Sequence, residues 1–364
     1  MVPDAAPDRE VEVVSEKSCK PSRQLIGPDT IVDSAKHKYQ ILESIGSGGF
    51  GDVYKIVRIS DNRTFAMKTE LKSTPGHHVK QRVPFEIFLL KEVHASRHID
   101  KSYFTKLIDE GSDSIYFFMV CEIVGKNLND LKRYYGQEGI LKPSTIFRVG
   151  IETMKSLSNL HLVGYVHRDV KPSNFACGHG KDCEKIYLLD FGISKCFEDR
   201  TIPCAPKESP STFMGTVRYA SRACHGHAPQ TPRDDVESWL YMFVEMFDAY
   251  CIPWRRSVDR KQVCAEKQKF FEEFANETYK GLPKNVKQLL SIVDKSYNAK
   301  HLRFKEITAK LTELAKEEGV NLVELYEWNP NQKFPEISLK STSISKDSET
   351  DSNVSINPNN VQKI

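Results

Sequence analysis

The sequence carries almost no net charge. Its 52 lysines and arginines against 49 aspartates and glutamates leave +3 over 364 residues. That balance is no signature of a nucleic-acid binder, although it is compatible with local basic patches. No apolar run is long or uninterrupted enough to cross a bilayer. The start, Met1-Val2-Pro3-Asp4-Ala5-Ala6-Pro7-Asp8, has neither the basic region nor the apolar core of a secretory signal. A disulfide framework is also missing, because the nine cysteines are odd in number and scattered. No internal repeat is visible. These absences leave an intracellular protein, cytoplasmic or nuclear, as the expectation.

The 39% apolar content supports a core but is low for the whole length, as expected when the ends do not fold. Residues 1–36 mix Pro, Ser and charge without periodicity and read as a disordered leader. Residues 329–364, rich in Ser and Asn, read as a disordered tail. Order is expected from the strand pattern Tyr39-Gln40-Ile41-Leu42. The length between the ends permits one large two-lobed domain or two small ones.

Gly46, Gly48 and Gly51 follow a strand, and Asp52-Val53-Tyr54-Lys55-Ile56-Val57 after them is again strand-like. A glycine loop lets backbone approach phosphates because no Cβ intervenes. A dinucleotide fingerprint would need a helix after the loop, so that reading fails here; a plain glycine-rich hairpin is the bland alternative. Lys68, in Phe65-Ala66-Met67-Lys68, suits the α- and β-phosphates of a nucleotide. Glu86 lies in a helical pattern opened by Pro84, which fits only a first turn, and is the candidate ion-pair partner of Lys68. The bland readings are a surface lysine and a solvated carboxylate.

Further on stand His167-Arg168-Asp169-Val170-Lys171-Pro172-Ser173-Asn174 and Asp190-Phe191-Gly192, with the strand-like Lys185–Leu189 between them. Asp169 would orient and deprotonate a hydroxyl, Lys171 would stabilise charge near the transferred group, and Asn174 and Asp190 would hold Mg²⁺ against phosphates. Tyr116–Val124 reads as a buried strand running into a connector. Cys121 on it, with Val53 and Ala66 from the two earlier strands, would face an adenine ring, with the backbones of Glu122 and Val124 at the purine edge. Thr216 is placed to bond Asp169. Asp235 would cap a helix over 234–247 and brace the loop around Asp169. Other helices are expected at 144–161, 262–278, 285–295 and 304–318, and Leu322–Trp328 would close the domain. Cys177, His179 and Cys183 fit no standard zinc spacing and lack a fourth ligand, so a glycine-rich hairpin turn is the preferred reading there. Ser209, Ser211 and Thr212, in an irregular stretch, are candidate phosphorylation sites.

Together these motifs resemble a eukaryotic protein kinase over roughly residues 37–328. Within that superfamily the chain resembles the casein kinase one group, especially its tau-tubulin kinase-like branch. The group-specific pieces are Gly215-Thr216-Val217-Arg218-Tyr219-Ala220-Ser221, Arg233-Asp234-Asp235, the Val124–Leu131 connector and Ile252-Pro253-Trp254-Arg255. As in that group, Ser221-Arg222-Ala223 stands where most kinases carry Ala-Pro-Glu.

The resemblance implies an α+β, bilobal fold, with an antiparallel sheet and regulatory helix over about 37–123 and a helical lobe over about 127–328. It implies a monomeric serine/threonine kinase using ATP and Mg²⁺, for which Mn²⁺ can substitute. Acceptors would be Ser or Thr of protein substrates, favouring acidic or already phosphorylated sites. Arg218 matches the family's anion-contacting arginine and Arg233 is its candidate neighbour; an internal partner in a phosphorylated activation segment is the competing role for Arg218. The rival to an enzyme is a kinase-fold scaffold acting by partner binding, against which the full set of catalytic residues stands.

Overall fold

The computed structural model describes residues 25–48, 51–72, 81–137, 139–198, 202, 213–273, 281–295 and 304–332. Its first part is a sheet. Strands β1 (Ile31–Asp33), β2 (Lys38–Gly48), β3 (Gly51–Arg58) and β4 (Arg63–Leu71) run in sequence, followed by helix α1 (Val83–Ala95), β5 (Leu107–Ser112) and β6 (Tyr116–Cys121). The strands form one six-stranded sheet in the order β1-β2-β3-β4-β6-β5, antiparallel throughout. Strand alternation decides which side chains are covered. Tyr39 and Ile41, Tyr54 and Ile56, Phe65 and Met67, and Phe118 and Val120 occupy every second position and make one apolar cluster. Each such side chain contributes about 1.5–3 kcal/mol by leaving water.

The ordered fold starts earlier than the sequence pattern suggests. Strand β1 lies within the stretch read as a leader, pairing Ile31 with Gln40 and Val32 with Tyr39. Ile26 N–H donates to the Tyr54 hydroxyl at 3.0 Å, and Ser34 Oγ donates to Asp109 at 2.6 Å. A three-residue strand is too short to show a period, and its stability comes from partners distant in sequence.

The second part is helical. It contains α2 (Leu128–Tyr135), α3 (Pro143–Leu162), the short strands β7 (Tyr165–Val166), β8 (Phe175–Cys177), β9 (Ile186–Leu188) and β10 (Lys195–Cys196), then α4 (Arg222–His225), α5 (Pro232–Phe247), α6 (Arg260–Glu273), α7 (Val286–Lys295) and α8 (Phe304–Glu317). Asn127 caps α2 by accepting the Asp130 N–H at 3.0 Å. Helix α5 is the axis of this lobe, since every residue from Asp234 to Phe247 is buried. Helix α3 lies against it at Gly150, where a Cβ would come within 2.7 Å of the Phe243 ring. Trp239 stacks on Phe243 at 5.1 Å and donates its indole N–H to Thr153 Oγ1 at 2.9 Å.

The expected stripe of α3 is the core-facing one: Ile146, Val149, Met154, Leu157 and Leu160 are buried, with Ile151 partly covered at its margin. Helix α6 is described as far as Glu273; the expected end at 278 falls in 274–280, outside the described residues. Tyr326 and Trp328 stack at 4.4 Å and close the lobe. The molecule is thus bilobal, with sheet and α1 on one side and helices on the other. No helix among the described residues is long and apolar enough to cross a membrane.

Candidate active site

A cavity of about 500 Å³ separates the two lobes. Strands β2 and β3 arch over it as a hairpin, pairing Gly46 with Val53 and Gly48 with Gly51. Gly49 and Phe50, at the tip, lie outside the described residues. A Cβ at Gly46 would meet nothing closer than 3.7 Å and one at Gly48 nothing within 4 Å. Both glycines therefore leave clear space beneath the hairpin. Gly51 is different: a Cβ there would sit 2.2 Å from the Thr69 carbonyl oxygen. Close packing of β3 on β4 thus demands glycine at 51, a reason apart from phosphate approach. Val53, Ala66, Cys121, Glu122 and Val124 line the cavity. The Glu122 carboxylate accepts the Lys106 N–H at 2.9 Å. Burial pushes the Cys121 thiol up to about 12.

Lys68 reaches the cavity from β4. Its ammonium donates to Glu86 Oε2 at 2.5 Å and to Asp190 Oδ1 at 2.8 Å. Pro84 lies in the first turn of α1, as its missing N–H requires, and Glu86 follows on the same helix. The second Glu86 oxygen accepts the Phe191 N–H at 3.2 Å. Burial opposes charge on all three ionised groups. The two carboxylates nonetheless raise the Lys68 pKa, and Lys68 holds Asp190 below the usual carboxylate range. Burial pushes Glu86 up and Lys68 pulls it back. The Phe191 ring packs against Phe104 at 5.9 Å and His167 at 5.6 Å, which fixes the start of the Asp190-Phe191-Gly192 turn.

The loop bearing Asp169 is braced from below. Asp235 accepts the N–H groups of His167 at 2.6 Å and Arg168 at 2.8 Å, and bonds His161 Nε2 at 2.7 Å. The expectation that Asp235 also caps α5 is corrected here. Asp234 closes the helix start by accepting the Thr231 N–H at 2.7 Å, and both Asp235 oxygens serve the loop. His167 Nε2 bonds Leu189 O at 2.9 Å while its Nδ1 accepts the Asp169 N–H at 3.2 Å, which assigns the proton to Nε2. Arg168 and Asp190 have φ of +69° and +65°. Such backbone persists where surrounding bonds over-determine it; the Arg168 guanidinium is tied to Ile193 O at 2.6 Å.

Thr216 donates to one Asp169 oxygen at 2.7 Å. Lys171 donates to the other at 2.6 Å and to Thr216 Oγ1 at 3.0 Å. The Asn174 amide nitrogen bonds Asp169 O at 2.8 Å, which turns its amide oxygen to other uses. Asn174, Lys171 and Asp190 all line the cavity. Two oxygen donors, the Asn174 amide and the Asp190 carboxylate, suit a hard divalent cation.

Arg218 and Arg233 are less simply placed. The Arg218 guanidinium donates to Glu245 Oε1 at 3.0 Å and Arg255 O at 2.6 Å, so its internal partner is a carboxylate of α5. Its side chain remains 41% exposed. Arg233 Nε lies 4.0 Å from the Asp234 carboxylate. Cys177 and Cys183 belong to the β8–β9 hairpin and its turn, the preferred reading of that stretch. Ser209, Ser211 and Thr212 lie outside the described residues.

Two anchors escaped the sequence reading. Arg222, within the Ser221-Arg222-Ala223 run, donates to Glu237 at 3.2 Å and Asp294 at 2.9 Å. Lys267 is fully buried and donates to Val217 O at 2.9 Å and Ala220 O at 2.5 Å, directly after Thr216. Lys267 stands in no motif of fixed spacing, and the Ser221-Arg222-Ala223 run carries no local signal of the acids that Arg222 meets.

Residues 39–313 match the family model of the protein kinase domain. The Caenorhabditis elegans protein named "Putative serine/threonine-protein kinase ZK507.1" is 35% identical over 223 residues, 61% of this chain and 66% of that protein. The serine/threonine-protein kinase spe-6 of the same organism is 29% identical over 305 residues, 83% of this chain and 78% of its own. A third C. elegans protein, named "Putative casein kinase I C03C10.2", is 31% identical over 228 residues, 62% of this chain and 64% of its own. The chain thus spans about two thirds of the first and third of these relatives. A family match over most of the length, on a bilobal fold whose cleft is lined by Lys68, Glu86, Asn174 and Asp190, with Asp169 bonded to Asn174 beside it, leaves one conclusion: the chain belongs to the protein kinase family.

Proposed function

We propose that the protein is a serine/threonine kinase that transfers the γ-phosphate of ATP to Ser or Thr hydroxyls of proteins. The observation that carries this reading is the Lys68 ammonium bridging Glu86 and Asp190 at the cavity wall. The cavity has the size and polarity for a nucleotide, and the Asn174 and Asp190 oxygens suit Mg²⁺. Bound Mg²⁺ supplies charge neutralisation along the phosphates. Lys68 would hold the α- and β-phosphates, and the backbones of Glu122 and Val124 the purine edge. Asp169 would orient the acceptor hydroxyl and take its proton. Lys171 and Thr216 hold that carboxylate at both oxygens, so the chain contributes mainly alignment and preset electrostatics.

Membership of the casein kinase one group, in its tau-tubulin kinase-like branch, is supported by Gly215–Ser221 and by the name one relative carries. A preference for acidic or phosphorylated acceptors is supported by the exposed part of Arg218, whose planar fork suits phosphate, with Arg233 as its proposed neighbour. The test is an arrayed peptide library, with and without a phosphorylated residue upstream of the acceptor, using wild type and Asp169→Asn. Wild-type transfer that falls about 10²–10⁴-fold in the variant is expected. Near-normal turnover in D169N would remove the role given to Asp169. Folded, ATP-binding wild type that transfers to no peptide would favour a scaffold.

A further inference from the structure

Helix α1 begins without a cap of its own. Arg82, at the N-cap position, provides no side-chain cap, and Pro84 lacks one of the N–H groups that a helix start leaves unbonded. The acceptor comes from the sheet. Glu70 Oε2 accepts the N–H of Arg82 at 2.7 Å and of Val83 at 2.8 Å. Glu70 is only 3% exposed, and a carboxylate there complements the positive end of the helix.

Glu70 stands two residues beyond Lys68 on β4, so the pleat directs both side chains to the same face. Each grips α1: Glu70 holds its first N–H groups, and Lys68 holds Glu86 one turn later. A helix attached to a strand at one point can pivot about it, whereas two attachments set its position. We propose that Glu70 is a positioning residue for phosphoryl transfer, capping α1 from the neighbouring strand and so setting where Glu86 meets Lys68. The proposal rests on the kinase reading of Lys68 and Glu86.

The test is a double-mutant cycle on the full chain with Glu70→Ala and Glu86→Gln, reading phosphotransfer and, separately, MgATP affinity by calorimetry. Glu70→Ala should lower kcat/KM for ATP about tenfold, the size expected of a lost cap. Added to Glu86→Gln, it should cost less than a further twofold, because both act through one contact. Glu70→Gln, which keeps an acceptor oxygen, should restore most of the activity. If Glu70→Ala does not fold, Glu70→Asp takes its place; its shorter side chain withdraws the carboxylate and should show the same non-additivity. Effects that simply multiply, or an unaltered Glu70→Ala, would overturn the proposal. Wild type that binds MgATP without transferring phosphate would count against the kinase reading alone, and the affinity cycle would still decide on Glu70.

Discussion

Thr216 and Asp169, 47 residues apart in sequence, share a 2.7 Å hydrogen bond that fixes one carboxylate oxygen while Lys171 fixes the other at 2.6 Å. Rotation of the carboxylate is thereby blocked from both sides. Removing the hydroxyl in Thr216→Ala should lower kcat about tenfold, as one charge-assisted bond lost in the transition state implies. KM for ATP should stay within about twofold, since Thr216 does not line the nucleotide cavity. Thr216→Ser should retain activity. Steady-state kinetics with one good peptide would decide, and a change confined to KM would contradict the assignment.

Arg222 ties the segment after Thr216 to two helices of the helical lobe. The arginine is on the segment and the acids, Glu237 and Asp294, are on α5 and α7. Glu237 is 4% exposed at its side chain, so Arg222→Ala strands a buried carboxylate. A loss of about 3–5 kcal/mol is expected. The double variant Arg222→Met, Glu237→Leu should recover much of it, because no unpaired charge remains in the core. Urea midpoints of the three proteins are the measurement; a double variant less stable than Arg222→Ala would refute the account.

Cys121 faces the nucleotide cavity yet its thiol is held at about 12 by burial. Only the thiolate is nucleophilic, so Cys121 should resist iodoacetamide at pH 7.5 in the native protein. Peptide mapping would show it unmodified until denaturant is added. Rapid native labelling would contradict this environment.

His225 has its pKa lowered to about 4, first by burial and then by the Lys267 ammonium, with Arg260 and His227 acting the same way. The unfolded chain therefore takes up a proton between about pH 6.5 and 4 that the folded chain refuses. The contribution of neutral His225 is complete above pH 6.5 and lost as pH falls toward 4, up to about 3 kcal/mol. Wild type and His225→Gln compared by urea unfolding at pH 7 and 4.5 should differ in slope, wild type losing more on acidification. Parallel losses would exclude the effect.

The arrangement of the candidate site was legible because its residues sit in runs of fixed spacing. Lys68, Asn174 and Asp190 each occupy a local pattern and line the cavity, and Asp169 adjoins it through its bonds to Lys171 and Asn174. The Thr216–Asp169 bond was legible for the same reason. What was hidden is what depends on pairing across the chain. Strand β1 is stabilised by β2 and Asp109, Arg222 by α5 and α7, and Arg218 by Glu245; none of these partners is marked by a period or a motif. Gly51 was read for phosphate approach, yet contact with Thr69 O imposes glycine there, because closeness between strands leaves no trace in composition. Asp235 was half legible: its service to the loop was expected, while the capping went to its neighbour Asp234.

The Tyr326–Trp328 stretch has a temporal meaning. Glu327 accepts the N–H of Lys142 at 2.8 Å, where α3 starts without a cap of its own, and Arg148 of α3 lies 3.9 Å from the centre of the Tyr326 ring. Helix α3 delivers the chain to the Asp169 loop, so that loop depends on residues the ribosome adds much later. A chain that lacks Glu327 leaves the Lys142 N–H without this acceptor: stalled nascent chains ending before Tyr326 should stay sensitive to protease around α3, and those extending past Trp328 should become resistant.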